Sequence, residues 1–227
     1  MFCRETFEFL FENRLKDSKE WYDAHKPERQ KLVTEPLLAL SASLGPAMLE
    51  MDSQLVTEPR RTISRLRRDT RYTKDKSLYR DVIWCVFLRD KKQFSSLPGF
   101  VFECSPRSWR YGMGYWQTDP ATMSCIREMI LSNHPAFLKA QKAYEKQEIF
   151  HLEGECYKRP HFPEQPPQLQ NWLERRSLFL AHNETDFEPL YSELLAERLL
   201  QGFQILKPLY DFFWAAEERR SLGEQGG

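Results

Sequence analysis

Apolar residues near the start of the chain recur at helical spacing. Phe7, Leu10, Phe11 and Leu15 follow the three-to-four-residue repeat of a buried helix stripe. Asp17 followed by Glu20 fits a capping box and starts a second helix through Trp21, Tyr22 and His25. Trp21 and Tyr22 read as core anchors, the commonest use of large aromatics. Pro36, at a first-turn position, opens a third helix over residues 37–51, with Gly45-Pro46 as a bend or break.

Past residue 60 the period changes from helical to alternating. Thr62, Ser64 and Leu66 share one strand face, and Ile63, Arg65 and Arg67 the other. Residues 81–90 (DVIWCVFLRD) are apolar almost throughout and short enough for a buried strand, with a helix as the alternative. A loop over 91–99 follows. Two aromatic-rich runs, 100–104 and 109–116, joined by Ser105-Pro106-Arg107-Ser108, read as a β-hairpin. Gly112 and Gly114 fall on one face of its second strand and admit close approach, either by another element or by a ligand.

Asp119-Pro120 starts a helix that buries Met123, Ile126 and Ile130 and stops at Asn133 before Pro135. A more polar helix over 137–148, a strand over 149–157 and a proline-rich loop ending near Pro167 come next. A short helix (168–176), a strand (177–181) and a long helix (188–219) broken near Pro208 complete the pattern. Residues 221–227 have the composition of a disordered tail. This order of elements implies one α+β domain over 1–220: a mainly antiparallel sheet packed by helices, with helical N-terminal and C-terminal segments.

Charge is concentrated in one place. Residues 60–80, RRTISRLRRDTRYTKDKSLYR, hold nine basic residues against two aspartates, a local charge of +7, while the chain's 33 basic and 33 acidic residues cancel. If 65–72 is extended, Arg65, Arg67, Asp69 and Arg71 project to one side and Arg68, Thr70 and Tyr72 to the other. Lys74-Asp75-Lys76-Ser77 reads as a turn, and Asp69 is placed to orient an arginine through a fork. Three readings fit: a salt-bridged surface strand, an anion pocket, or a phosphate track for nucleic acid with aromatic stacking surfaces.

The run RLRRDTRYTKDKSLYR resembles the signature of the domain-of-unknown-function family number 2461, Arg-x-x-Arg-Asp-Thr-Arg-Phe-x-Lys-Asp-Lys-x-Pro-Tyr-Lys. Arg65, Arg68, Asp69, Thr70, Arg71, Lys74, Asp75, Lys76 and Tyr79 fall on it. Tyr72 replaces Phe, Leu78 replaces Pro and Arg80 replaces Lys. Further echoes are Glu20-Trp21-Tyr22-Asp23-Ala24-His25-Lys26, Gly112-x-Gly114-Tyr115 and Lys158-Arg159-Pro160, so the resemblance spans about residues 7–213. It draws attention to Trp21, Asp23 and Lys26 as well, and implies no established activity.

Composition narrows the setting. Five cysteines without a C-x-x-C pair point to reduced thiols in the cytoplasm. Arg4, Glu5 and Glu8 interrupt any signal-peptide core, no run approaches the ~20 apolar residues of a membrane span, and no membrane partner is expected. His151, Glu155, Cys156 and His161 lie close in sequence, but Cys156 faces away from His151 and Glu155 on an alternating strand, so no metal is expected. No nucleophile elbow or phosphate-loop motif occurs, and no cofactor is implied. The surrounding cations keep Asp69 and Asp75 ionised, which makes them poor acids. What remains is a site for a small phosphate- or carboxylate-bearing ligand built from Arg65, Arg68, Asp69, Arg71, Lys74, Asp75, Lys76, Tyr79 and Arg80, with Arg159 as a distal contributor. Turnover at such a site does not follow from these residues. The alternatives are a nucleic-acid-associated protein using the same segment, which the neutral overall charge disfavours, and a scaffold braced by ion pairs.

Overall fold

The computed structural model describes residues 1–71, 74–90, 92 and 96–225. Helix α1 (Arg4–Lys16) buries Thr6, Phe7, Phe9, Leu10 and Asn13, whereas Phe11 and Leu15 are 56% and 69% exposed. The buried stripe is thus rotated from the expected one. Aromatic partners fix it: Phe9 packs on Trp21 at 5.3 Å and Phe7 meets Phe187 edge-on at 4.9 Å. The cap of α2 (Lys19–Ala24) is also displaced by one position. Ser18 accepts from the Trp21 N–H, while Asp17, in the left-handed region at φ 43°, ends α1.

Helix α3 (Lys26–Arg29) continues through a π-helical turn (Gln30–Thr34) into α4 (Glu35–Met51). Pro36 stands in the first turn of α4 as expected, but the helical turns run on without a gap from α3, and the expected break at Gly45-Pro46 is absent. The 26-residue helix Lys26–Met51 is long and apolar enough to cross a membrane by length and composition, contrary to the sequence expectation. Within its unit it buries Val33, Leu37, Leu40, Leu44 and Met48. Thr6 Oγ1 donates to the Leu32 carbonyl within the π turn at 2.8 Å.

After the single turn α5 (Pro59–Thr62), five strands form an antiparallel sheet: β1 (Ile83–Phe87), β2 (Gly99–Cys104), β3 (Trp109–Gly114), β4 (His151–Glu153) and β5 (Phe179–Glu184), in the order β1-β2-β3-β5-β4. The β2–β3 hairpin closes where the Ser105 N–H donates to the Ser108 carbonyl at 2.9 Å. Of the expected loop over 91–99, residues 91 and 93–95 lie outside the described ones. β4 pairs with β5 in the register His151↔Ala181, Leu152↔Leu180, Glu153↔Phe179. Its regular ladder is three residues long where nine were expected, because Gly154, at φ 132° against the Ser177 carbonyl, interrupts it; pairing resumes at the isolated bridge Cys156↔Arg175.

The remaining helices are α6 (Pro120–Leu131), α7 (Pro135–Glu145), α8 (Pro167–Leu173), α9 (Glu188–Tyr191) and α10 (Leu195–Gln225). Asp119 caps α6 as its sequence implies, accepting from the Ala121 N–H at 2.7 Å. α10 runs through Pro208 without a break and continues into the segment 221–227 for which composition implies disorder. Its burial of Phe203, Leu206, Leu209, Phe212 and Phe213 outweighs the lost backbone donor. The fold is α+β, as the pattern requires.

By its contacts the chain divides into two compact units. The first takes Met1–Phe87, Val101–Tyr111 and Asn183–Leu200; the second takes Leu88–Phe100, Gly112–His182 and Gln201–Gly227. Leu10, Leu44, Met48, Ile83 and Phe87 are buried in the first. In the second, Phe137 packs edge-on against Trp172 at 5.8 Å and near Phe212 at 5.4 Å.

Within the second unit, Gly112 and Gly114 face the backbone of β5. A Cβ at Gly112 would stand 1.9 Å from the Leu180 carbonyl oxygen. Close packing of another element accounts for these glycines. Gly112→Ala should lower stability by about 3 kcal/mol in urea denaturation, at the upper end of overpacking costs.

Glu217 is buried in the same unit and accepts from Thr122 Oγ1 and Arg220 Nε, each at 3.2 Å. Its Oε1 has no hydrogen-bond partner, and burial, opposed by Tyr115 and Arg220, raises its pKa above the ordinary 4.5. A raised folded-state pKa means stability that is full below pH 4.5 and lost as pH rises through the shifted value. Glu217→Gln should therefore melt higher than the parent at pH 7, with the gap closing toward pH 4, read by thermal denaturation across pH.

Candidate functional site

The basic segment folds back on itself. Arg67 and Tyr79 form an antiparallel bridge, flanked by Arg68 N–H to Leu78 carbonyl (2.8 Å) and Arg80 N–H to Leu66 carbonyl (3.0 Å). A second bridge, Ile63↔Cys85, joins the first arm to β1. The arms are held by isolated bridges rather than a full strand, yet the alternation survives: Arg65 and Arg67 are exposed and Leu66 is buried. The pairing puts Leu66, Arg68, Leu78 and Arg80 on one face, with Arg67 and Tyr79 on the other.

The outer edge of the second arm is covered by the end of α1. Asp17 Oδ1 accepts from the N–H groups of Leu78 (2.8 Å) and Tyr79 (3.0 Å). Arg14 donates through Nη1 to the Tyr79 carbonyl (3.2 Å) and through Nη2 to Asp75 Oδ2 (3.3 Å). The turn closes around Asp75, whose Oδ1 accepts from the Ser77 N–H at 3.0 Å and from its hydroxyl. Arg68 Nη1 donates to the same Oδ2 as Arg14. These contacts, Ser77 first and then Arg68, hold the Asp75 carboxyl well below the ordinary carboxylate range.

Asp69 and Arg71 make the expected fork, with Nε to Oδ1 at 2.9 Å and Nη2 to Oδ2 at 2.6 Å. Hydrogen bonds from Arg71 lower the Asp69 pKa to about 2. Lys76 Nζ donates to the Thr70 carbonyl at 2.9 Å. Arg65, Arg67 and Lys74 are exposed and make no ion pair with a described residue. Tyr72 lies outside the described residues.

Tyr79 is only 2% exposed. Its ring stacks on Tyr22 at 4.2 Å, and the Arg29 guanidinium covers Tyr22 at 3.7 Å. Burial and the neighbouring Tyr22 raise its phenol pKa. It thus keeps company with Arg67, on the face away from Arg68 and Arg80. Tyr22 works in this stack, and Trp21 stacks on His25 at 4.1 Å.

Arg80 stands apart. Its guanidinium lies 4.6 Å over the Trp84 ring, half-buried, and its enclosed Nε has no hydrogen-bond partner. Burial and, second, the charge of Arg68 lower its pKa. Like-charged diagonal neighbours on one sheet face account for that repulsion.

Arg159 belongs to the second unit, exposed on the connection from β4 to α8. That loop is fastened by Glu174, which accepts from the N–H groups of His161 (2.9 Å) and Phe162 (2.7 Å). Among the described residues, no group of three or more His, Cys, Asp or Glu side chains could hold a metal ion. Sequence reasoning missed Arg14, Asp17 and Trp84. The first two act across 61 positions, and the neighbouring sequence marks Asp17 only as a helix cap.

Fold and site together define an α+β protein with a basic hairpin clamped along one edge by its first helix. The chain belongs to the domain-of-unknown-function family number 2461, described as a conserved hypothetical protein, whose model matches residues 5–212. No curated protein matches the chain. The match takes in the whole basic hairpin and Arg159 and ends before Glu217.

Asp17 is the side chain on which the clamp turns. Asp17→Ala strips two backbone donors of a charged acceptor and should cost about 2 kcal/mol in chemical denaturation. Asp17→Asn, which keeps an acceptor and tolerates the left-handed backbone, should lose less than half of that.

Proposed function

We propose that the chain is a cytosolic domain that binds a small phosphate- or carboxylate-bearing anion on the Arg68–Arg80 face of the basic hairpin. The observation that carries this reading is Arg80: a half-buried guanidinium beside a second one, with its Nε unpartnered. An enclosed donor left unpaired costs about 1–3 kcal/mol. An anion between the two guanidiniums would satisfy that donor and relieve the repulsion, through the planar fork that arginine offers and lysine lacks. Exposed Arg65, Arg67 and Lys74 would raise the local anion concentration. Cys3, Cys85, Cys104, Cys125 and Cys156 are all free, which supports a reducing compartment. The proposal concerns binding, not turnover.

The exposed trio of Arg65, Arg67 and Lys74 favours a second reading, a phosphate track for nucleic acid. Calorimetric titration with inorganic phosphate, sugar phosphates and dicarboxylates separates the two. Small-anion binding should weaken at least tenfold in Arg80→Ala and partly in Arg80→Lys, with unchanged circular dichroism. Equal binding by Arg80→Ala overturns the anion site. Duplex binding with a log–log salt slope of about −2.7, lost on replacing Arg65, Arg67 and Lys74, supports the track.

A further inference from the structure

We infer that Asp75 is an intramolecular occupant of the anion site, a carboxylate that the hairpin supplies to Arg68 and with which an incoming anion competes. The inference rests on the reading of Arg68 and Arg80 as an anion site and adds how that site is regulated. Its basis is how Asp75 is held. Oδ2 accepts from Arg14 Nη2 and Arg68 Nη1, and Oδ1 accepts from the Ser77 backbone and hydroxyl. Two guanidiniums, a backbone N–H and a hydroxyl are the donor set with which proteins bind external carboxylates and phosphates.

Arg68 is the shared member. It reaches Asp75 across seven residues of sequence, and the hairpin pairing sets it diagonally beside Arg80 on the same face. Arg80 has no carboxylate partner among the described residues, so the two guanidiniums differ in readiness. Arg68 commits Nη1 to Asp75, so an anion held by Arg80 and by the full fork of Arg68 competes with Asp75 for that guanidinium. Arg14 and Ser77 keep their hold on Asp75 during this exchange, so the turn stays anchored while Arg68 changes partner. Asp69 is different: its fork goes to Arg71, which takes no part in the Arg68–Arg80 pair.

The test is calorimetric titration of the full chain with inorganic phosphate. Asp75→Asn keeps the shape and the acceptor for Ser77 but removes the charge that holds Arg68. It should bind phosphate roughly fivefold more tightly than the parent, the upper end for releasing a partly exposed ion pair. The gain should vanish when Arg68→Ala is added, and Asp69→Asn, an equal change in net charge, should move the dissociation constant less than about 1.5-fold. Ser77→Ala, which loosens Asp75 without removing it, should give a smaller gain and serves if Asp75→Asn fails to fold. Arg80-dependent binding in the parent, with no gain in Asp75→Asn or Ser77→Ala, overturns this inference alone. An equal gain in Asp69→Asn also overturns it, since any lost negative charge would then suffice. Absence of phosphate binding in the folded parent and in Asp75→Asn overturns the anion site itself, and this inference with it.

Discussion

The clamp between the end of α1 and the outer edge of the basic hairpin is the contact on which the site depends. A strand edge leaves backbone donors and acceptors without partners, and such an edge is open to wrong pairings. Here Asp17 takes two of the donors and Arg14 supplies the acceptor's partner. Both come from one turn at the end of a helix whose other face is locked by aromatic contacts to Trp21 and Phe187. The hairpin arm therefore inherits its position from the first helix rather than from its own two bridges. Side-chain directions follow: once the register of Arg67 with Tyr79 is fixed, Arg68 and Arg80 must share a face.

Electrostatics makes that clamp necessary. Seven net positive charges in 21 residues would spread the loop if nothing opposed them. The two acidic residues are used differently. Asp69 is consumed locally by Arg71, two positions away, whereas Asp75 joins three parts of the chain through Ser77, Arg68 and Arg14. Exposed pairs contribute little individually. Their effect here is geometric, selecting which guanidiniums are engaged and leaving Arg80 with its flat face on Trp84.

How legible this was in the sequence depended on distance along the chain. The alternation of Arg65, Leu66 and Arg67 and the Asp69–Arg71 fork were readable because both are settled within a few residues. Arg14 and Asp17 were not, because their partners lie 61 positions away. The stripe on α1 was misjudged for a related reason: Phe9 and Phe11 are the same residue type, and the position of Trp21, on which Phe9 packs, decides which is buried. Pro46 and Pro208 misled in another way. Each is a local stop signal, yet apolar faces packed along 26- and 31-residue helices carried the helix through. Of the candidate residues, charge type alone could not separate Arg159, which belongs to the other unit, from the arginines of the hairpin.

The π-helical turn at Gln30–Thr34 sets an angular phase. A π turn is equivalent to one residue inserted into an α-helix, and one residue is a rotation of about 100°. Arg29, before the turn, points to Tyr22, while Val33 and Leu37 onward point into the core. Deleting a single residue from 30–34 would leave composition and helicity nearly unchanged. It would swing Arg29 off Tyr22 by about a quarter of a circle, and the aromatic stack beneath Tyr79 would lose its cover.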